Sequence, residues 1–384
     1  MSAELIEIRR DIHACPELAF QELRTADLIE ATLKRWGIAR VHRPMPTCVC
    51  AHIGTGQGPT IALRADIDGI TQDEQNDVPW RSTVPGLMHG CGHDVHATIL
   101  LGTAQALMGT ELPGTVVLLF QPAEETGPRS GASVLVNEAG WLEEHVPNEM
   151  YALHVWPWLP TGRVECKSGP VMAAATSLRL TVTGHGGHAG MPQTAVDAIA
   201  IAGQLITALQ TIVARQVDPA DQVVIGLGTI RGGSRSSVVA ESVEILGTVR
   251  TLTRTTREFV KRRIAEVCTQ VAAAMGGTAN VLLEDDTSPT INDPACVRHL
   301  HTAAESALGL TAFVNQERCH MATEDFGRFL ERVPGAYGFL GCTAPGAIAH
   351  PLHSGRFLPD EHAIYDGIAV YKHLVGGFFH RVDD

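Results

Sequence analysis

The chain has 384 residues, 45% of them hydrophobic, and a formal net charge of −13 at pH 7; that length exceeds one ordinary core and points to two domains, or to one large domain with an insertion. Its longest basic run is Lys261-Arg262-Arg263, so a phosphate-neutralising surface is not expected and nucleic acid is excluded as a partner. Nine cysteines with no CxxC pair and no regular spacing argue against a disulfide framework and for a reducing, cytoplasmic compartment.

In chain order, MSAELIEIRRDIH reads as an amphipathic helix with charges throughout, not as a signal peptide. No run approaches the ~18 apolar residues of a membrane span, so a soluble protein with no membrane partner is expected. Residues 22–36 carry apolar positions at helical spacing and stop at Gly37, a typical helix terminator. TIALRAD (60–66), TVVLLF (115–120) and YALHV (151–155) are nearly continuous apolar runs, which suits strands buried on both faces, and HATILLGTAQALMG reads as a helix. The alternation predicts an α/β fold with a mixed, largely parallel sheet flanked by helices. Each strand ends in polar residues: Asp66 and Asp68, then Gln121, Glu124 and Glu125, then His154. Ligands gather at the carboxyl ends of strands in such sheets, so these groups are expected to share one rim.

From about Ser177 the pattern changes. SLRLTVTG, QVVIGLGTI, SVEILGTVRTL and TANVLLEDD read as strands, and residues 194–217 and the segment TREFVKRRIAEVCTQVAAAMG as helices. The order βαββαβ is that of a ferredoxin-like unit. Residues 177–290 are therefore expected to form an inserted domain. Residues 1–176 and 291–384 make a discontinuous catalytic domain, completed by a strand at AYGFLGC and a closing helix from about Glu361.

The chemistry concentrates in MHGCGHDVH (88–96), with three histidines, a cysteine and an aspartate in nine residues. Gly90 and Gly92 let the backbone bend so that Cys91 and His93 can face one ion. The spacing is not that of a zinc finger, and the remaining donors must come from far along the chain, as in catalytic sites. The close pair Cys48 and Cys50 has no histidine of ligand spacing beside it. Glu124 and Glu125 are adjacent and point in different directions on an extended stretch, so one can bind an ion while the other handles its water.

RRDIHACPEL, LRADIDG, PGLMHGCGHDVH, QPAEE, LHVWPWLPTG, GHGGHAGMP, TEDF and LHSGRF together resemble the metallopeptidase-type family of aminoacylases, hippurate hydrolases and indoleacetyl-amino acid hydrolases, in the branch with a cysteine at the metal. The eight motifs occur in the family's order over almost the whole chain. The resemblance implies a zinc-peptidase-like catalytic domain in which Cys91, His93, Glu125, His154 and His353 ligate, with Cys91 bridging two divalent ions. It makes Glu124 the general base and gives His188 the role of oxyanion donor, acting across a homodimer interface, so that the insert serves as lid and dimerisation module. Arg250 in GTVRT is the best match for a cation facing the substrate carboxylate. A thiolate, imidazoles and a carboxylate suit Zn, Co, Ni or Mn better than Mg or Ca.

Asp66, Asp68, Asp94 and Glu324 are expected behind the ligands or near the water. For Asp94 and His96, helix capping is the alternative; for Glu324 and Asp325, a helix start. His13, His42, His52, His145, His299, His301 and His380 read as surface or satisfied core residues, and the other cysteines as small buried hydrophobes. The chain departs from the family's pattern at Gly69-Ile70-Thr71, Thr176, Gln193 and Ser237, where acyl group and amino acid would be recognised. The expected activity is hydrolysis of N-acyl-L-amino acids through a metal-activated water. A dipeptidase or carboxypeptidase with the same chemistry is the alternative. A non-catalytic metal-binding scaffold fits less well, since it would need no base at Glu124.

Overall fold

The computed structural model describes residues 3–382. Met1 and Ser2, at the start of the expected N-terminal helix, lie outside the described residues; the helix runs Ala3–Ala14 and buries Leu5, Ile8 and Ile12. By internal contacts the chain forms two compact units, one of residues 1–171, 291–318 and 325–384, the other of residues 172–290 and 319–324.

The first unit is built on an eight-stranded sheet in the order Arg40–His42, Val49–Gly54, Thr115–Gln121, Thr60–Asp66, Glu149–Pro160, Gly335–Thr343, Val164–Cys166, Phe313–Asn315. Thr60–Asp66 runs parallel to both its neighbours, and Glu149–Pro160 parallel to Gly335–Thr343. Val49–Gly54 is antiparallel to Arg40–His42 and to Thr115–Gln121, so the sheet is mixed and largely parallel at its centre. Every residue of Thr115–Gln121 is buried, which is why that run is almost wholly apolar. Helices His93–Leu107 and His362–Val382 contribute Leu100, Leu101, Ile368 and Leu374 to one core with Leu63, Leu118 and Leu340. The helix Leu23–Arg35 is followed by Trp36 and by Gly37 at φ +92°, a left-handed position that costs glycine little.

One strand is longer than its apolar pattern suggested. YALHV continues to Pro160 because its partner Gly335–Thr343 keeps pairing past Trp156, which places His154 within a strand and not at its end.

In the second unit the strands Val223–Gly232, Ser242–Thr251, Gly169–Thr183 and Thr278–Thr287 lie side by side in that order, all antiparallel. With helices Ala198–Arg215 and Arg254–Ala274 between them in sequence, the connectivity is the expected βαββαβ. The first strand begins at Gly169, ahead of Ser177, because Ala174 and Ala175 still pair with Thr251 and Arg250. Residues 319–324 cluster here because His320–Thr323 pairs in parallel with that strand. Helix Ala198–Arg215 starts where the Asp197 carboxylate accepts the N–H groups of Ile199 and Ala200, four residues later than its pattern suggested. Contrary to expectation, this helix is long and apolar enough to cross a bilayer by length and composition. Its residues Ile201, Leu205, Leu209 and Ile212 instead share the unit's core with Leu180 and Val260, as one face of a core helix does.

Candidate metal centre

The expected ligands meet at the carboxyl-end rim of the first unit's sheet. Gly92, at φ +86°, turns the chain into the helix that begins at His93; a Cβ there would sit 2.4 Å from Val155 Cγ2, so the position excludes any other residue. Cys91 and His93 flank this turn, and the His353 N–H donates to the Gly90 carbonyl at 2.8 Å, which fastens the C-terminal segment to it. Glu124 and Glu125 open a short 3₁₀ turn after Ala123. Ala123 and His353 both occupy left-handed backbone, at φ +57° and +62°. Such strain in non-glycine residues is held in place by its surroundings and gathers at functional sites.

Two donor groups result. The ligand atoms of Cys91, His93 and His154 lie within 4.8 Å of one another, and so do those of Cys91, Glu125 and His353. Cys91 Sγ is 3.4 Å from His154 Nε2, and Glu125 Oε1 is 2.9 Å from His353 Nε2. The thiol therefore belongs to both groups. Cys91, His93 and His154 are buried, Glu124 and Glu125 half-buried, and the His353 side chain is 52% exposed, so one side of the site is open.

Ring orientation is set from behind. His93 Nδ1 lies 3.1 Å from Asp68 Oδ1, while Asp68 Oδ2 accepts the Glu125 N–H at 3.0 Å, so one carboxylate holds an expected ligand of each group. His154 Nδ1 donates to the Val155 carbonyl at 2.7 Å, leaving Nε2 for the site. Asp66 takes His96 Nδ1 at 2.5 Å, and His96 Nε2 accepts the Val155 N–H at 2.8 Å. With both nitrogens engaged, His96 orients its neighbours and does not ligate.

Burial, reinforced by Glu125, Glu124 and Asp66, pushes the Cys91 thiol far up. Burial would push His93 down, but Asp66, Asp68 and Glu125 outweigh it and raise the imidazole to about 10. Burial and His96 hold His154 well below the usual range. The pocket thus asks for positive charge. Divalent ions fit it: His93 Nε2 is buried with no hydrogen-bond partner, its other nitrogen being held by a carboxylate, as in metal-bound histidines.

Asp94 stands elsewhere than expected. It pairs with Arg9 Nε at 2.8 Å and His13 Nδ1 at 2.8 Å, and His13 reaches Glu74 at 3.2 Å, so it steadies the helix that carries His93. His13, read as a surface or satisfied core residue, is a buried one held by both carboxylates. Sequence reasoning missed a buried network in which Arg64 donates to Gln121 at 2.9 Å, Asp66 at 2.6 Å and Asp325 at 2.8 Å. The signal was an arginine inside the apolar run TIALRAD. A further omission is Glu22, buried, whose Oε1 accepts the Ala123 N–H at 2.8 Å just before Glu124.

The other predicted residues belong to the second unit. His188 is exposed and its Nδ1 accepts the Gly190 N–H at 3.0 Å. Arg250 donates to the Met321 carbonyl at 2.9 Å. Glu324 clusters with this unit, whereas its neighbour Asp325 joins the Arg64 network of the first. In the first unit a cleft of about 470 Å³ adjoins the rim, lined by Gly69, Ile70, Thr71, Glu125 and His353 among others.

Residues 62–376 match Peptidase family M20/M25/M40. The chain belongs to this family. An N-acetyl-L-cysteine deacetylase of Bacillus subtilis is 39% identical over 367 residues, covering 95% of this chain and 85% of that protein. Thermostable carboxypeptidase 2 of Saccharolobus solfataricus is 34% identical, covering 98% of this chain and 96% of its own. Among solved structures, a dinuclear metal-binding M20 peptidase from Bacillus subtilis superposes with a TM-score of 0.85 at 32% identity, covering 98% of each chain. This M20 member is thus a metal-binding hydrolase, with the fold and the family that its motifs resembled.

Proposed function

We propose that the chain hydrolyses the amide bond of N-acyl-L-amino acids, releasing a carboxylate and a free amino acid. The observation that carries this reading is the Cys91 thiol shared between two donor groups, with Glu124 beside the ligand Glu125. Cys91, His93 and His154 would hold one divalent ion and Cys91, Glu125 and His353 the other, a donor set suited to Zn, Mn, Co or Ni. Bound there, such ions polarise a carbonyl and lower the pKa of water to about 7. Glu124 takes the proton of the attacking water as its oxygen joins the carbonyl carbon, and passes that proton to the amide nitrogen as the C–N bond breaks. His188, from the second unit of a partner subunit in a homodimer, donates to the carbonyl oxygen as it gains negative charge. Arg250 pairs with the substrate carboxylate. The second unit, residues 177–290 by sequence, acts as lid and dimerisation module.

The rim cleft includes Gly69, Ile70 and Thr71, where the sequence departs from the family's pattern, and would receive the acyl group. The N-acetyl-L-cysteine deacetylase supports this substrate class. The carboxypeptidase relative favours a second reading, removal of a C-terminal residue from a peptide by the same groups. Nine cysteines with no CxxC pair and no regular spacing support a reducing, cytoplasmic compartment. The test is amino-acid release from N-acetyl, N-benzoyl and N-indoleacetyl amino acids and from dipeptides, with Zn, Mn or Co added and after chelation. Chelator-sensitive release from the acyl amino acids is expected. Activity on peptides alone would replace the first reading with the second.

A further inference from the structure

Far from the rim in sequence, a second set of metal-binding side chains assembles at the edge of the same sheet. His42 lies directly opposite Cys50 in the antiparallel pair of Arg40–His42 with Val49–Gly54. Cross-strand partners share a face, and so do Cys50 and His52, two residues apart; Val49 and Ala51 point the other way, into the core. His145, the last residue of helix Trp141–His145, covers that face. Its ring stacks on those of His42 and His52 at 5.6 and 5.0 Å, and His42 stacks on His52 at 5.4 Å. Cys50 Sγ is 3.4 Å from His145 Nε2, and the ligand atoms of His42, Cys50 and His145 lie within 4.8 Å of one another. The three histidines line a cleft of about 410 Å³ with Arg40 and Glu144.

We propose that His42, Cys50 and His145 form a further metal site, distinct from the rim, for a borderline-soft divalent ion of the zinc class. His145 Nδ1 donates to the Trp141 carbonyl at 2.8 Å, which fixes the tautomer and leaves the Nε2 lone pair aimed at the thiol. Tetrahedral zinc with its usual N and S distances separates those two atoms by about 3.5 Å, in accord with the spacing here. His42 Nε2 and His52 Nδ1 are buried atoms without a hydrogen-bond partner, a cost that an ion at His42 removes in part. The nearest charges oppose each other: Glu144 comes within 3.9 Å of His42 Nε2 and can serve as a fourth ligand, while Arg40 repels a cation. Burial, then His145, Arg40 and His42, push His52 down to about 4, and burial pushes Cys50 up to about 12. Zinc binding there releases the thiol proton to solvent as the S–Zn bond forms. Imidazole and thiolate select zinc, nickel or copper over magnesium and calcium. An ion here would tie the helix Trp141–His145 to the sheet edge.

The test is Zn²⁺ bound per chain, titrated against a chromophoric chelator, for the full-length wild type and for His42→Gln and His145→Gln. His42, with a side chain 38% exposed, tolerates substitution if the more buried His145 does not. Each variant is expected to lose one zinc equivalent while hydrolysis stays within about twofold, and the zinc-dependent gain in Tm should shrink with it. Equal zinc in wild type and both variants would overturn the site, as would loss of the equivalent together with hydrolysis. Because the readout is a difference between wild type and variant, it stands or falls separately from what the rim binds or cleaves.

Discussion

At the rim, the Cys91 thiol lies 3.4 Å from His154 Nε2; at the sheet edge, the Cys50 thiol lies 3.4 Å from His145 Nε2. The donors match, and what surrounds them does not. His93 is held by Asp68, His96 by Asp66, and Glu124 stands beside Glu125 in the same turn. At the edge, His145 is held by a backbone carbonyl and the rings stack on one another. Carboxylates raise His93 to about 10 against its burial, whereas burial, then neighbouring imidazoles and Arg40, drive His52 down to about 4. Donor types alone do not separate a hydrolytic centre from a structural one. On the proposed reading, the base beside the ligands does.

That contrast can be broken at Asp68. Asp68→Asn keeps the shape and removes the charge behind His93 and Glu125, so ion affinity at the rim should fall about 10- to 100-fold, with zinc at the edge unchanged. Competition with a chelator measures it, and wild-type affinity would show that the carboxylate does not set the difference between the clusters.

A smaller effect sharpens it at Glu22, a buried carboxyl that supports the rim through Ala123. Burial, with Asp68 adding to it, pushes Glu22 from the ordinary 4.5 up to about 8. The folded pKa lies above the unfolded one, so the folded chain keeps a proton that the unfolded chain releases. Stability therefore falls as pH rises from about 4.5 to about 8. Glu22→Gln can still accept the Ala123 N–H and should gain about 1–3 kcal/mol over wild type at pH 8, with little difference near pH 5. Tm curves separated by the same amount at every pH would contradict this.

Much of the rim was legible because its chemistry is local or marked by strand ends. Cys91 and His93 share one turn, Glu124 and Glu125 follow a buried strand, and Asp66 closes another. His154 was expected at the rim and lies there although its strand end was misplaced, since apolar pattern does not reveal how far a partner strand keeps pairing. Arg64 with Asp325, 261 residues apart, and His13 with Asp94, 81 apart, could not be paired from spacing. The edge cluster was hidden for the same reason. Cys50 was read as lacking a histidine partner although His52 follows it at the Cys-x-His spacing of Cys91 and His93; the other two partners are out of reach of spacing, His145 lying 95 residues away and His42 meeting Cys50 only through strand register.

The most direct test of the hydrolytic account is Glu124→Gln, read by metal content and by turnover of an acyl amino acid that the wild type cleaves. The account predicts unchanged ion content and a fall in kcat of about 10²- to 10⁴-fold, the range for loss of a general base. Full activity, or loss of the ions along with activity, would contradict the assignment of Glu124 as the group that moves the proton.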